Sequence, residues 1–328
     1  MSSAVDLGRV PILVPGRMLE HGARRIETTF DMVRLDRSDA SLITPQLAER
    51  VRGIGVHGGV NAALIDALPN LEIIANFGVG YDGVDAAHAG KRGIMVTNTP
   101  DVLTEEVADT ALGLLINTVR ELSRAEQYLR QGRWAKDGDY PFTRATLRGR
   151  KAGILGMGRI GMAIARRLEA FGLEVSYHNR RKVDGLPYAY HASLLDMAKA
   201  VDTLISVVPG GAATAKVIDA DVLKALGPSG VFINIGRGSS VDEPALIRAL
   251  RDGTIYAAGL DVFADEPRVP QDLIDLPNAV LLPHVGSASV HTRNGMADLL
   301  VDNLVSWFTD GKAITPVPET IHATPRAR

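Results

Sequence analysis

Residues 151–171 read KAGILGMGRIGMAIARRLEAF: an apolar run, a glycine-rich turn and an amphipathic segment in immediate succession. The spacing of Gly156, Gly158 and Gly161 is G-x-G-x-x-G. Glycines at these places permit a tight turn, close approach of a pyrophosphate, and tight packing of the following helix on the preceding strand. The helix that opens at Arg159 and Ile160 would add unpaired N–H groups and a positive dipole end. Glycines alone fit any strand-to-helix turn. The strand before and the helix after make this a dinucleotide-binding turn.

The next strand, LEVSYH, refines the ligand. A turn of this kind that takes NAD usually has Asp or Glu about 20 residues on, bonded to the ribose hydroxyls. Here the stretch SYHNRRK begins 15 residues after Gly161, and His178 occupies the acid's place. Asn179, Arg180, Arg181 and Lys182 follow it. A carboxylate would repel a 2′-phosphate, whereas an Arg fork binds one through parallel hydrogen bonds. The residues favour NADP(H) over NAD(H).

Working outward, apolar strand runs continue at DTLISVVP, GVFINIG, YAAGLDVF and NAVLLPH. Upstream, VPILV (10–14), GIGVH (53–57), LEIIANFG (71–78) and IMVTNT (94–99) read as strands. TPQLAERV, AALIDAL and VDAAHAGKRG read as helices between them. Such alternation implies parallel sheets with crossover helices. A single long helix is expected over 104–131, capped by Thr104, begun by Glu105 and Glu106, and stopped by Gly132. A last helix is expected near 289–309, and the Pro-rich tail PVPETIHATPRAR reads as frayed.

Composition narrows the function. The 328 residues suit two domains, and hydrophobic (46%) and charged (23%) shares are those of an ordinary globular chain. A net charge of −2 argues against a bulk electrostatic grip on nucleic acid or an anionic membrane. With 0 cysteines, disulfides, thiolate nucleophiles and zinc–cysteine sites are excluded, and a reducing cytoplasm is permitted. No metal site is expected. The N-terminus lacks a basic-then-apolar signal pattern, and no apolar run reaches the ~18 residues of a membrane span.

Four further blocks, NFGVGYDGVD (76–85), NIGRGSSVDE (234–243), GLDVFADEP (259–267) and LPHVGSAS (282–289), appear in order with GMGRIG. Together they resemble the D-isomer-specific 2-hydroxyacid dehydrogenases along nearly the whole chain. HNRR and PFTRATLRGRKAGILGMGRIG look most like the glyoxylate/hydroxypyruvate reductase branch. The resemblance implies two doubly wound α/β domains. One is a flavodoxin-like substrate domain of residues 1–99 and 288–328, the other a Rossmann NADP-binding domain of residues 100–287. It further implies a cleft that closes on substrate and a homodimer through the nucleotide domain.

Reduction of a 2-oxo acid needs a hydride donor, a proton donor and a carboxylate anchor. His284 ends the run AVLLP, where a parallel sheet exposes ligand-facing side chains. Its imidazolium could give the proton, with Glu266 bonded to the other ring nitrogen. Arg237, after GVFINI, could hold carbonyl and carboxylate through its planar fork. The family assigns these roles to the matching positions. Val79 and Gly80 offer backbone N–H groups for the substrate carboxylate, and His57 and Gly58 stand where the opposite wall would be. By family position, Asp261 would face the nicotinamide amide and Ile235 would lie alongside the cofactor. Thr104 could reach it too. Val208, Pro209 and Thr214 would line the adenosine pocket, although PGGAAT departs from the usual pattern there. The leading expectation is NADPH-dependent reduction of glyoxylate and hydroxypyruvate to glycolate and D-glycerate. A broader reductase of 2-ketogluconate or aryl pyruvates, and a non-catalytic NAD(P)H-sensing regulator, are the alternatives.

Overall fold

A computed structural model describes residues 6–326, which divide into two compact units: residues up to Leu103 with Ser289 onward, and Thr104–Ala288. The first boundary lies 4 residues (103 against 99) and the second 1 residue (288 against 287) beyond the expected positions.

The first unit is built on β1 (Pro11–Pro15), β2 (Asp31–Leu35), β3 (Gly53–Val56), β4 (Ile73–Asn76) and β5 (Met95–Thr97), ordered β2-β1-β3-β4-β5. Every pairing is parallel, the flavodoxin-like order. β1, β3 and β4 are buried along their full length, as near-continuous apolar runs should be in a sheet covered on both faces. β2 was not marked in the sequence. Its DMVRL is only half-buried and takes its place from a five-residue register with β1.

The tail corrects one expectation. Residues 316–320 are not frayed: Val317 N–H donates to Val96 O at 2.9 Å, and the Thr320 hydroxyl accepts the Val96 N–H at 3.0 Å. Thr320 is buried. Composition suggested solvent, but an unpaired edge of β5 needed partners. The last two residues lie outside the described range.

The second unit contains β6 (Lys151–Leu155), β7 (Glu174–His178), β8 (Ala189–Tyr190), β9 (Thr203–Ser206), β10 (Val231–Asn234), β11 (Ala257–Leu260) and β12 (Ala279–Leu281). Their order is β12-β11-β10-β9-β6-β7-β8, all parallel. The chain runs outward one way from β6 and then the other way from β9, so the switch point lies between these two strands. Ligands of such sheets bind outside the carboxyl ends at that point. Leu155, Leu204, Phe232 and Leu260 join helix residues such as Leu223 and Leu246 in one buried cluster, each worth roughly 1.5–3 kcal/mol of burial.

The expected helix over 104–131 is two helices, Thr104–Arg120 and Leu122–Arg130. Glu121 breaks it with φ of 53°. Its carboxylate accepts hydrogen bonds from Tyr140 (2.8 Å), Arg124 (2.9 Å) and Tyr256 (3.1 Å). These offset the ~1–3 kcal/mol of a left-handed non-glycine residue. Leu122, just after the break, is exposed. Thr104 is the first helical residue.

Candidate active site

The glycine turn joins β6 to the helix Arg159–Ala170. Gly156 has φ of 103°, and a Cβ there would meet the Val207 carbonyl carbon at 3.1 Å. At Gly161 a Cβ would fall 2.4 Å from Gly156 O, so the helix packs directly on the turn. Gly158 differs: a Cβ there would meet nothing within 4 Å. Two glycines shape the turn and the third leaves its outer surface bare beside a helix N-terminus. That is the form a pyrophosphate requires, and NADP(H) fits it.

His178 ends β7, and its Nδ1 lies 2.8 Å from His191 O. Asn179 faces the glycine turn, where its Oδ1 accepts the Met157 N–H at 2.6 Å. It thus ties the basic turn to the glycine turn. Arg180, Arg181 and Lys182 are exposed, and none of them has a hydrogen bond or ion pair with another described residue.

On the other arm of the sheet, Asn234 ends β10 and Arg237 follows. Buried Asn234 accepts the Gly236 N–H at 3.1 Å and donates to Arg237 O at 3.0 Å, while Ser240 Oγ donates to the same carbonyl at 2.7 Å. Cβ atoms at Gly236 and Gly238 would fall 2.6 Å from Val208 O and 1.9 Å from Phe263 O, respectively. The Arg237 backbone is therefore pinned on both sides, and its Nη1 donates to Gly236 O at 2.9 Å.

His284 and Glu266 come together after β12 and β11. His284 Nδ1 lies 2.7 Å from Glu266 Oε2, and Glu266 Oε1 accepts the Phe263 N–H at 3.0 Å. Burial works to raise the Glu266 carboxyl, but the His284 and Phe263 hydrogen bonds and the charges of His284 and Arg237 outweigh it and hold it below the ordinary range. The histidine side chain remains 45% exposed.

Asp261 has a structural hold on this segment. It is 1% exposed, its Oδ1 accepts the Val285 N–H at 2.7 Å, and its Oδ2 accepts the Gly286 N–H at 2.8 Å. His284 N–H donates to Asp261 O at 2.9 Å, and His284 has a left-handed φ of 54°. Burial raises the Asp261 carboxyl against the pull of those two amides and of His284. Ile235 and Val208 are buried and Pro209 is exposed, while Thr214 donates to Pro209 O at 2.6 Å.

In the first unit, the loop after β4 has its carbonyls occupied. Asn76 donates to Gly78 O (3.3 Å) and Gly80 O (3.0 Å), and Asn98 donates to Val79 O at 2.8 Å. The N–H groups of Val79 and Gly80 have no acceptor among the described residues. His57 and Gly58 follow β3, and the His57 ring meets Phe77 edge-on at 5.0 Å. Arg293, left out of the sequence assignment, lies over the same Phe77 ring at 5.8 Å. Sequence reading also passed over Asn76, Asn98, Asn234 and Ser240. The signal for the three asparagines was an amide at or just after the end of a buried strand, a group that must find partners, whereas Ser240 lies in a short 3-10 turn beyond β10.

Strand order, glycine turn and the Glu266–His284 pair define a dinucleotide-binding α/β protein with a carboxylate–imidazole pair at the strand ends. Residues 112–286 match the family model for the D-isomer specific 2-hydroxyacid dehydrogenase, NAD binding domain. The chain is 47% identical over 272 residues to a hydroxyphenylpyruvate reductase of Plectranthus scutellarioides, covering 82% of this chain and 86% of that one. It is 42% identical over 311 residues to glyoxylate/hydroxypyruvate reductase A of Arabidopsis thaliana, covering 94% and 99%. A solved structure of an NADPH-dependent glyoxylate/hydroxypyruvate reductase from Sinorhizobium meliloti, in complex with NADP and malonate, is 58% identical with a TM-score of 0.95, covering 98% and 100%. The chain belongs to the D-isomer specific 2-hydroxyacid dehydrogenase family.

Proposed function

We propose that the chain reduces glyoxylate and hydroxypyruvate to glycolate and D-glycerate with NADPH, and that His284 is the proton donor. The observation that carries this reading is the 2.7 Å Glu266–His284 pair on a sheet whose other arm ends in the glycine turn and an exposed cationic loop. When bound, NADPH supplies the hydride that adds to the carbonyl carbon. With Nδ1 held by Glu266, the proton leaves from His284 Nε2 to the carbonyl oxygen. The neutral ring then regains a proton from water. Glu266 keeps its negative charge throughout and fixes the orientation of the ring. Arg237, on its pinned backbone, binds the substrate carboxylate and polarises the carbonyl. The Val79 and Gly80 amides suit a carboxylate, and His57 and Gly58 are assigned to the pocket wall.

Likeness to the Plectranthus enzyme favours one second reading, a reductase that also accepts aryl pyruvates. We further infer a cytoplasmic homodimer joined through the nucleotide-binding unit. A chain with 0 cysteines is in keeping with that compartment. The dimer is supported by Phe142, 100% exposed, and Trp134, 59% exposed, both in the stretch between the broken helix and β6.

The test is oxidation of NADPH and NADH, side by side, with glyoxylate, hydroxypyruvate, hydroxyphenylpyruvate and 2-ketogluconate. The proposal requires the highest kcat/KM with the two small acids and NADPH. A larger acid in first place would move the assignment to the broader reductase. Tight NADPH binding without turnover of any of them would favour the sensor.

A further inference from the structure

The basic turn is closed by two tyrosines that no catalytic role requires. Tyr177, in β7, is 0% exposed. Its hydroxyl accepts the Val183 N–H at 3.0 Å and donates to Val183 O at 3.2 Å. Tyr190, in β8, donates to Asn179 O at 3.3 Å. The two rings pack at 5.4 Å with planes 50° apart. Only Arg180, Arg181 and Lys182 lie between the two clasped residues. Asn179 is held a second time, through the Met157 N–H in the glycine turn.

We propose that Tyr177 and Tyr190 are positioning residues for cofactor selectivity, fixing the three cations so that a 2′-phosphate binds without first ordering the turn. A loose loop loses backbone freedom when its cations close on an anion, and a loop whose backbone is already fixed avoids that part of the cost. The tyrosine hydroxyls themselves bond only main-chain atoms of the basic turn. The glycine turn, which serves NADH and NADPH alike, keeps its shape through Gly156 and Gly161. Selectivity, rather than dinucleotide binding or turnover, is therefore what the hydroxyls control. This inference rests on the NADPH reading above.

The experiment uses the full chain, Tyr177→Phe and Tyr190→Phe, with 2′,5′-ADP and 5′-AMP as calorimetric probes, and KM and kcat for NADPH and NADH. Phe keeps the ring and the core volume and removes only the hydroxyl. The expected result is a ~5–10-fold weaker 2′,5′-ADP and a matching rise in NADPH KM, with 5′-AMP, NADH KM and kcat unchanged within about twofold. Equal weakening of both probes, or none, would overturn the clasp. Wild-type protein that does not prefer 2′,5′-ADP over 5′-AMP would overturn the NADPH reading itself, which is a separate result. Should Tyr177→Phe fail to fold, Tyr190→Phe decides alone, since its hydroxyl is only part-buried and bonds a single carbonyl.

Discussion

Glu266 holds the ring of His284 from behind, Oε2 to Nδ1 at 2.7 Å, while its other oxygen is anchored on the Phe263 N–H. The carboxyl is held below the ordinary carboxylate range. Because this folded-state value is depressed, the pair's contribution is present above the ordinary carboxylate range and is lost as pH falls through the lowered value. Glu266→Gln should cut kcat for glyoxylate reduction by roughly tenfold or more. The wild-type profile should fall on the acid side as Glu266 protonates below the ordinary carboxylate range, and the Gln variant should lack that step. Superimposable pH–rate profiles for the two proteins would remove Glu266 from the mechanism.

Arg237→Lys keeps a positive charge but loses the planar fork. Its kcat/KM for glyoxylate should fall by about 10²–10³-fold, with the melting temperature within a few degrees of wild type. A Lys variant with near-normal kinetics would mean that charge alone suffices.

The glycines should separate by role. Gly161→Ala forces a methyl to within 2.4 Å of Gly156 O, and should destabilise the fold by ~1–3 kcal/mol in denaturant melts. Gly158→Ala places its methyl in open space and should leave stability intact while weakening NADPH in fluorescence titrations. Reversal of that pattern would contradict the assignment of Gly158 to the ligand surface.

Replacing Arg180 and Arg181 together with Gln should raise the KM for NADPH by about 10–100-fold and leave that for NADH nearly unchanged. Rising ionic strength should erode the wild-type preference in the same direction. Equal losses for both cofactors would make the turn an ordinary solvated surface.

On the homodimer proposed above, Phe142→Ser should shift sedimentation from dimer toward monomer at micromolar concentration, because Phe142 and Trp134 expose two aromatic rings in one short stretch of the chain. Unchanged sedimentation would place the interface elsewhere.

The sequence by itself determined the two parallel sheets, the glycine turn and the basic turn, since each is written in short-range periodicity and local glycine chemistry. The strand runs at 53–57, 71–78 and 151–156 are apolar enough to be read without neighbours. DMVRL is not, and only its pairing with β1 makes it a strand. The break at Glu121 was likewise hidden, because its cause lies at Tyr140 and Tyr256 rather than in the helix pattern. The tail sits on β5 for the same kind of reason, a hydrogen-bond debt incurred some 220 residues earlier. At the candidate site, the residue types were legible but the hold on them was not. Asp261, read as a cofactor contact, has both oxygens on the main chain just after His284, and Asn179 grips Met157. Which donor meets which acceptor across such spans depends on strand register and loop closure, quantities that exist only once the chain has folded.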